Sequence, residues 1–174
     1  MTDTRASYGR DVWMALAAIG WSDGHLDQNE ADALVRTALD EGAELDEISD
    51  LDEATKKPIS LGDIDLSKLT KEDRLFIYAV ACWITRIDGK VTEPEVDSLN
   101  KLGELLRVPE KPRQHAENIV KEVSQTCVDI RPAFFNLSLI KSMITERLAE
   151  AKKIKEAMKT DGEEDNEKDE ESNA

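Results

Sequence analysis

Asp23-Gly24-His25-Leu26-Asp27-Gln28-Asn29-Glu30 and Asp88-Gly89-Lys90-Val91-Thr92-Glu93-Pro94-Glu95 are two statements of one phrase, 65 residues apart. Each reads Asp-Gly, any residue, an aliphatic, three more residues, then Glu. Each follows a Trp-bearing apolar run, Val12 to Trp21 and Phe76 to Ile84, and each precedes an amphipathic stretch. An apolar run without a polar face marks a helix buried on most sides. Gly after such a run suits the left-handed turn that ends a helix. Asp27 and Thr92, with Glu30 and Glu95 three residues on, read as capping boxes that open the next helices. Ala31, Leu34 and Ala38 then align with Val96, Leu99 and Gly103. A repeat of this kind predicts a duplicated helix–turn–helix unit. Its two apolar helices would pair at the centre, with the amphipathic helices around them.

Outward from the repeat, residues 1–6 read as a flexible lead and 7–130 as one helical domain. Residues 43–69 form an ordered connecting segment. Leu45, Ile48 and Leu51 suit a short amphipathic turn or two. Ile59, Leu61, Ile64, Leu66 and Leu69 are too apolar for a free linker. Thr70 with Asp73 is a further capping box. Ala116, Ile119, Val120, Val123 and Cys127 share one face of another helix, which Arg131-Pro132 breaks. Leu137, Ile140, Ile144, Leu148 and Ala151 predict a C-terminal helix within 131–158, about 39 Å long if it starts near Ala133. Residues 159–174 read as a disordered acidic tail.

The net charge of −15 sits in two blocks. Asp40–Glu53 holds eight acids and no base; residues 159–174 hold eight acids and two lysines, so the remainder is at −1. A nearly neutral body lacks the basic face that nucleic-acid binding needs. The apolar runs are shorter than the ~20 residues of a membrane helix, so no direct membrane insertion is expected. Met1 to Tyr8 lacks the apolar core of a secretory leader. Two cysteines in a helical chain fit a reducing compartment. The expected location is cytoplasmic.

Asp23, Glu30, Asp88 and Glu95 are the candidate metal ligands, for a divalent cation such as Ca or Mg. Their spacing repeats the second half of an EF-hand loop. The places of the missing acids hold Ile19 and Trp21 in the first copy and Ile84 and Arg86 in the second. Half a loop supplies too few oxygens, so a full EF-hand is excluded and a site shared by the two copies stays open. The structural alternative gives the glycines to turns and the glutamates to caps. His25, His115, Cys82 and Cys127 match no zinc spacing. No catalytic Ser/His/Asp order and no phosphate loop is visible, so no enzyme activity is expected.

These residues resemble the TerB-like family of bacterial tellurite-resistance-associated helical domains. The likeness rests on Trp21-Ser22-Asp23-Gly24-His25-Leu26 with Glu30, and on Arg86-Ile87-Asp88-Gly89-Lys90-Val91 with Glu95. It covers roughly residues 8–108, and Ser22 and Ile87 stand where that family prefers Ala. It implies an all-α helical bundle with an acidic cluster at the two motifs. It further implies a non-enzymatic interaction module of a stress-response or defence system, with other proteins, including membrane-associated complexes, as partners. A cation-binding sensor and a metal-dependent enzyme on the same carboxylates are the alternatives. Ile154, Ala157 and Met158 among lysines also suit a homodimer through the C-terminal helix.

Overall fold

The computed structural model describes residues 8–22, 24–85, 92–126 and 136–170, the last of these by backbone alone from 160 onward. Every long element among them is a helix: α1 Arg10–Gly20, α2 Gln28–Asp40, α3 Leu45–Lys56, α4 Lys71–Ile84, α5 Glu93–Leu105, α6 Glu110–Thr126 and α7 Leu137–Glu170. Two 3₁₀ turns, Leu61–Asp63 and Leu66–Lys68, lie between α3 and α4. The chain is all-α, as the periodicity predicts.

Helices α1 and α4 pack against each other at the centre. Their sequences leave no other arrangement, because neither has a polar face to give to water. In α4, all nine residues from Leu75 to Trp83 are buried. In α1, Val12, Trp13 and Ala15–Gly20 are buried. Each fully buried Leu, Ile or Phe side chain contributes roughly 1.5–3 kcal/mol relative to exposure. Helices α2 and α3 cover α1, while α5, α6 and α7 cover α4. Two of the indoles find carbonyl partners: Trp13 Nε1 donates to Tyr8 O at 3.1 Å and Trp21 Nε1 to Ala54 O at 2.8 Å.

One segment differs from the sequence reading. The stretch after Leu45 is a full helix, not a turn or two. Acids open it and Lys56 closes it, which suits the helix dipole, and Leu51 and Ala54 face the core. The acidic block is thus the solvent face of a packed element. Helix α7 begins at Leu137, where Asn136 Oδ1 accepts from Leu139 N at 2.9 Å. It then runs to Glu170. Cys127 and the Arg131-Pro132 break lie outside the described residues.

A polar cluster beneath α7 has no counterpart in the sequence reading. Lys141, 9% exposed, pairs with Glu41 at the end of α2. Its Nζ lies 4.1 Å from the centroid of the Tyr8 ring. Thr145 Oγ1 donates to Glu72 Oε1 at 2.6 Å. Burial, and then the carboxylates of Glu72, Asp73 and Glu41, push the Tyr8 phenol above its ordinary range. These contacts seat α7 on the N-terminus, the end of α2 and the start of α4.

Candidate functional site

Of the four carboxylates singled out by the repeat, Asp23 and Asp88 lie outside the described residues. Glu30 and Glu95 are described, and both turn back on the residues that open their helices. Asp27 Oδ1 accepts from Asn29 N at 2.6 Å and from Glu30 N at 3.1 Å, while Glu30 Oε2 accepts from Asp27 N at 3.2 Å. Glu95 Oε2 accepts from Thr92 N at 2.6 Å and from the Thr92 hydroxyl at 2.8 Å. These hydrogen bonds satisfy donors that the first turn of a helix leaves open. Among the described residues, no three His, Cys, Asp or Glu side chains are grouped so as to hold a metal ion. His25 and His115 are exposed, whereas Cys82 is buried in α4.

The first of the two bends is built for chain reversal. Gly24 has φ +86°, a conformation that other residues rarely adopt. Gly20, one turn earlier, lets Leu26 fold back across α1. A Cβ there would stand 2.5 Å from Leu26 Cδ1. Leu26 itself is buried.

Where the ends of α1 and α4 approach α5, the packing opens into a groove of about 510 Å³. Its walls are Ile19 and Trp21 of α1, Ile59 and Leu61 before α4, Ile84 of α4, and Leu99, Leu102 and Leu105 of α5. Ser22, Ser60, Thr85, Ser98 and Lys101 supply polar groups along it. The volume lies within the range of ligand clefts, and the pattern of apolar walls with a few polar groups is theirs as well. The Trp21–Ala54 hydrogen bond fixes one wall. By contrast, the space between α2 and α4 beside Leu26, Glu30 and Leu137 is about 10 Å³, room for one water at most.

Sequence reasoning did not find the groove. Ile59 and Leu61 stood out as too apolar for a linker, and they prove to be wall residues. The other walls come from segments far apart in the chain, and no local pattern joins them.

Fold and groove together define an all-α domain with an open apolar cleft at one end of its central helix pair. No protein-family model matches the chain, and neither a curated protein nor a solved structure is found similar to it. No helix among the described residues is long and apolar enough to cross a membrane.

Proposed function

We propose that this chain is a non-enzymatic interaction module, TerB-like in organisation, that serves a bacterial stress-response or defence assembly. It does so by taking the apolar face of a partner protein into the groove between α1, α4 and α5. The observation that carries this reading is the groove itself, an apolar cleft of about 510 Å³ at one end of the central helix pair. The duplicated unit belongs to the same proposal. Its support is the pairing of α1 with α4 and the matched way in which Glu30 and Glu95 cap α2 and α5. A divalent cation at Asp23, Glu30, Asp88 and Glu95 would share the Glu30 and Glu95 carboxylates with those caps.

The test is a photo-crosslinking residue at position 105, on the groove wall, in the chain expressed in its own cells. The expected result is crosslinking to a discrete partner, with the same yield after chelation and loss on Trp21→Ala or Leu102→Asp in a chain of unchanged helicity. A partner that crosslinks equally well with the groove altered would refute the reading.

A further inference from the structure

Two walls of the groove are the core helices α1 and α4. The other two, residues 59–61 and helix α5, lie nearer the surface. Ile59, Leu61 and Leu102 are only partly buried, and Leu105 is 52% exposed. Helix α5 packs chiefly on α4. The side-chain hydrogen bonds of Thr92, Glu95 and Ser98 close on α5 and its own cap. Packing of this kind leaves a wall free to open locally unless something else ties it down.

Arg74, at the start of α4 and outside the groove, reaches both of these walls. Its Nε donates to Leu69 O at 3.1 Å and its Nη2 to Leu66 O at 2.9 Å, in the segment that carries Ile59 and Leu61. Its Nη1 donates to Leu106 O at 3.2 Å, at the residue that ends α5. Each hold is passed on to a wall by the main chain. On one side, Asp63 Oδ2 accepts from Ser60 N at 3.0 Å, Ile64 N donates to Leu61 O at 3.3 Å, and Leu66 N donates to Ile64 O at 3.0 Å. On the other, Leu106 N donates to Leu102 O at 2.9 Å.

We infer that Arg74 is the positioning residue of the groove, a clamp that fixes residues 59–61 and α5 relative to each other. The inference rests on the reading of the groove as a binding site and names what holds that site in shape. A guanidinium carries its N–H groups in a rigid planar fork, so it holds three carbonyls from two segments at once. A lysine ammonium is a point charge on a flexible stem and cannot hold them all. The clamp therefore depends on the shape of the cation as well as its charge.

Hydrogen exchange of the full chain, read by mass spectrometry in Arg74→Lys and Arg74→Met, tests this. In both variants the amides of residues 61–69 and 99–108 should exchange at least about tenfold faster than in the wild type. Those of α2 and α3 should stay within about twofold of it. Crosslinking from position 105 should fall in Arg74→Lys along with the loosened walls. An Arg74→Lys chain whose two walls exchange as slowly as the wild type overturns the inference, because charge alone would then suffice. Faster exchange in one wall only overturns it too, because nothing would then couple the two. Lost helicity in Arg74→Lys, or equal acceleration in α2 and α3, would show that Arg74 supports the whole fold and not the groove. Undiminished crosslinking with both walls loosened would also refute the positioning role. A wild-type chain that captures no partner refutes the reading of the groove instead, and the exchange rates still decide whether the clamp exists.

Discussion

Helix α2 buries Ala31, Ala33, Leu34, Thr37 and Ala38 and leaves Leu39 in solvent, whereas α5, which opens with a similar cap, buries only Leu99 and Gly103 and leaves Val96 and Leu105 in solvent. The cause is what comes next in the chain. After α2 the chain continues into α3, which packs on both α1 and α2 and closes the first hairpin. After α5 it continues into α6, which packs chiefly on α4 and α7. Among the described residues no helix packs on α5 as α3 packs on α2, and the groove lies beside it. Two hairpins opened by the same phrase thus differ in whether they are finished from within. The sharpest probe compares equivalent leucines. Leu34→Ala should cost about 3–4 kcal/mol, because the space beside it is only about 10 Å³. Leu99→Ala should cost nearer to about 2 kcal/mol, because the groove beside it already admits water. Urea denaturation measures both, and equal losses would mean that the second hairpin is as tightly packed as the first.

The next comparison concerns the caps, where the two hairpins should behave alike. Glu30→Ala and Glu95→Ala each remove a carboxylate that accepts from the residue opening the helix. Each should cost about 1 kcal/mol, the ordinary worth of a helix cap. If the two glutamates serve as caps, these losses are the same in chelator and in millimolar Ca²⁺ or Mg²⁺. A cation that raises the melting temperature of the wild type, and fails to raise that of Glu95→Ala, would move the carboxylates from structure to metal binding.

Much of this architecture is legible from residue types alone. Unbroken apolar runs such as Leu75 to Trp83 can only be central helices, and Asp27 with Glu30 can hardly be anything but the start of one. Local chemistry is written locally. The Lys141–Glu41 pair spans a hundred positions in the chain, so no pattern within one helix announces it. Helix α3 was under-read because Leu45, Ile48 and Leu51 mark only its first two turns, and Ala54, buried in its last turn, is too small to extend the apolar pattern visibly. The groove was illegible for a deeper reason. It is an absence of packing, and the sequence of α5 looks as amphipathic as that of α2. Only the placement of α3 and α6 decides which of the two is covered.

The smallest expected effect is also the most direct test of unequal finish. Both α2 and α5 end in the same hydrogen-bonded turn. Ala43 N donates to Ala38 O at 2.9 Å, and Val108 N donates to Gly103 O at 2.9 Å. The first turn places Gly42 at φ +77°, and the second places Arg107 at φ +53°. A left-handed conformation costs a residue with a Cβ roughly 1–2 kcal/mol, and Gly avoids that cost. Arg107 is held there by its neighbours. Leu106 and Val108 are both buried, and the Arg74 guanidinium, which donates to Leu66 O at 2.9 Å and Leu69 O at 3.1 Å, also donates to Leu106 O at 3.2 Å. Arg107→Gly should therefore stabilise the chain by about 0.5–1 kcal/mol, once the greater freedom of Gly in the unfolded state is set against the relieved strain. Gly42→Ala should destabilise it by about 1 kcal/mol. Opposite signs at equivalent positions, read as melting shifts, would confirm that one turn was built for its conformation and the other is forced into it. A loss of stability in Arg107→Gly would show instead that the arginine side chain contributes more than its backbone costs.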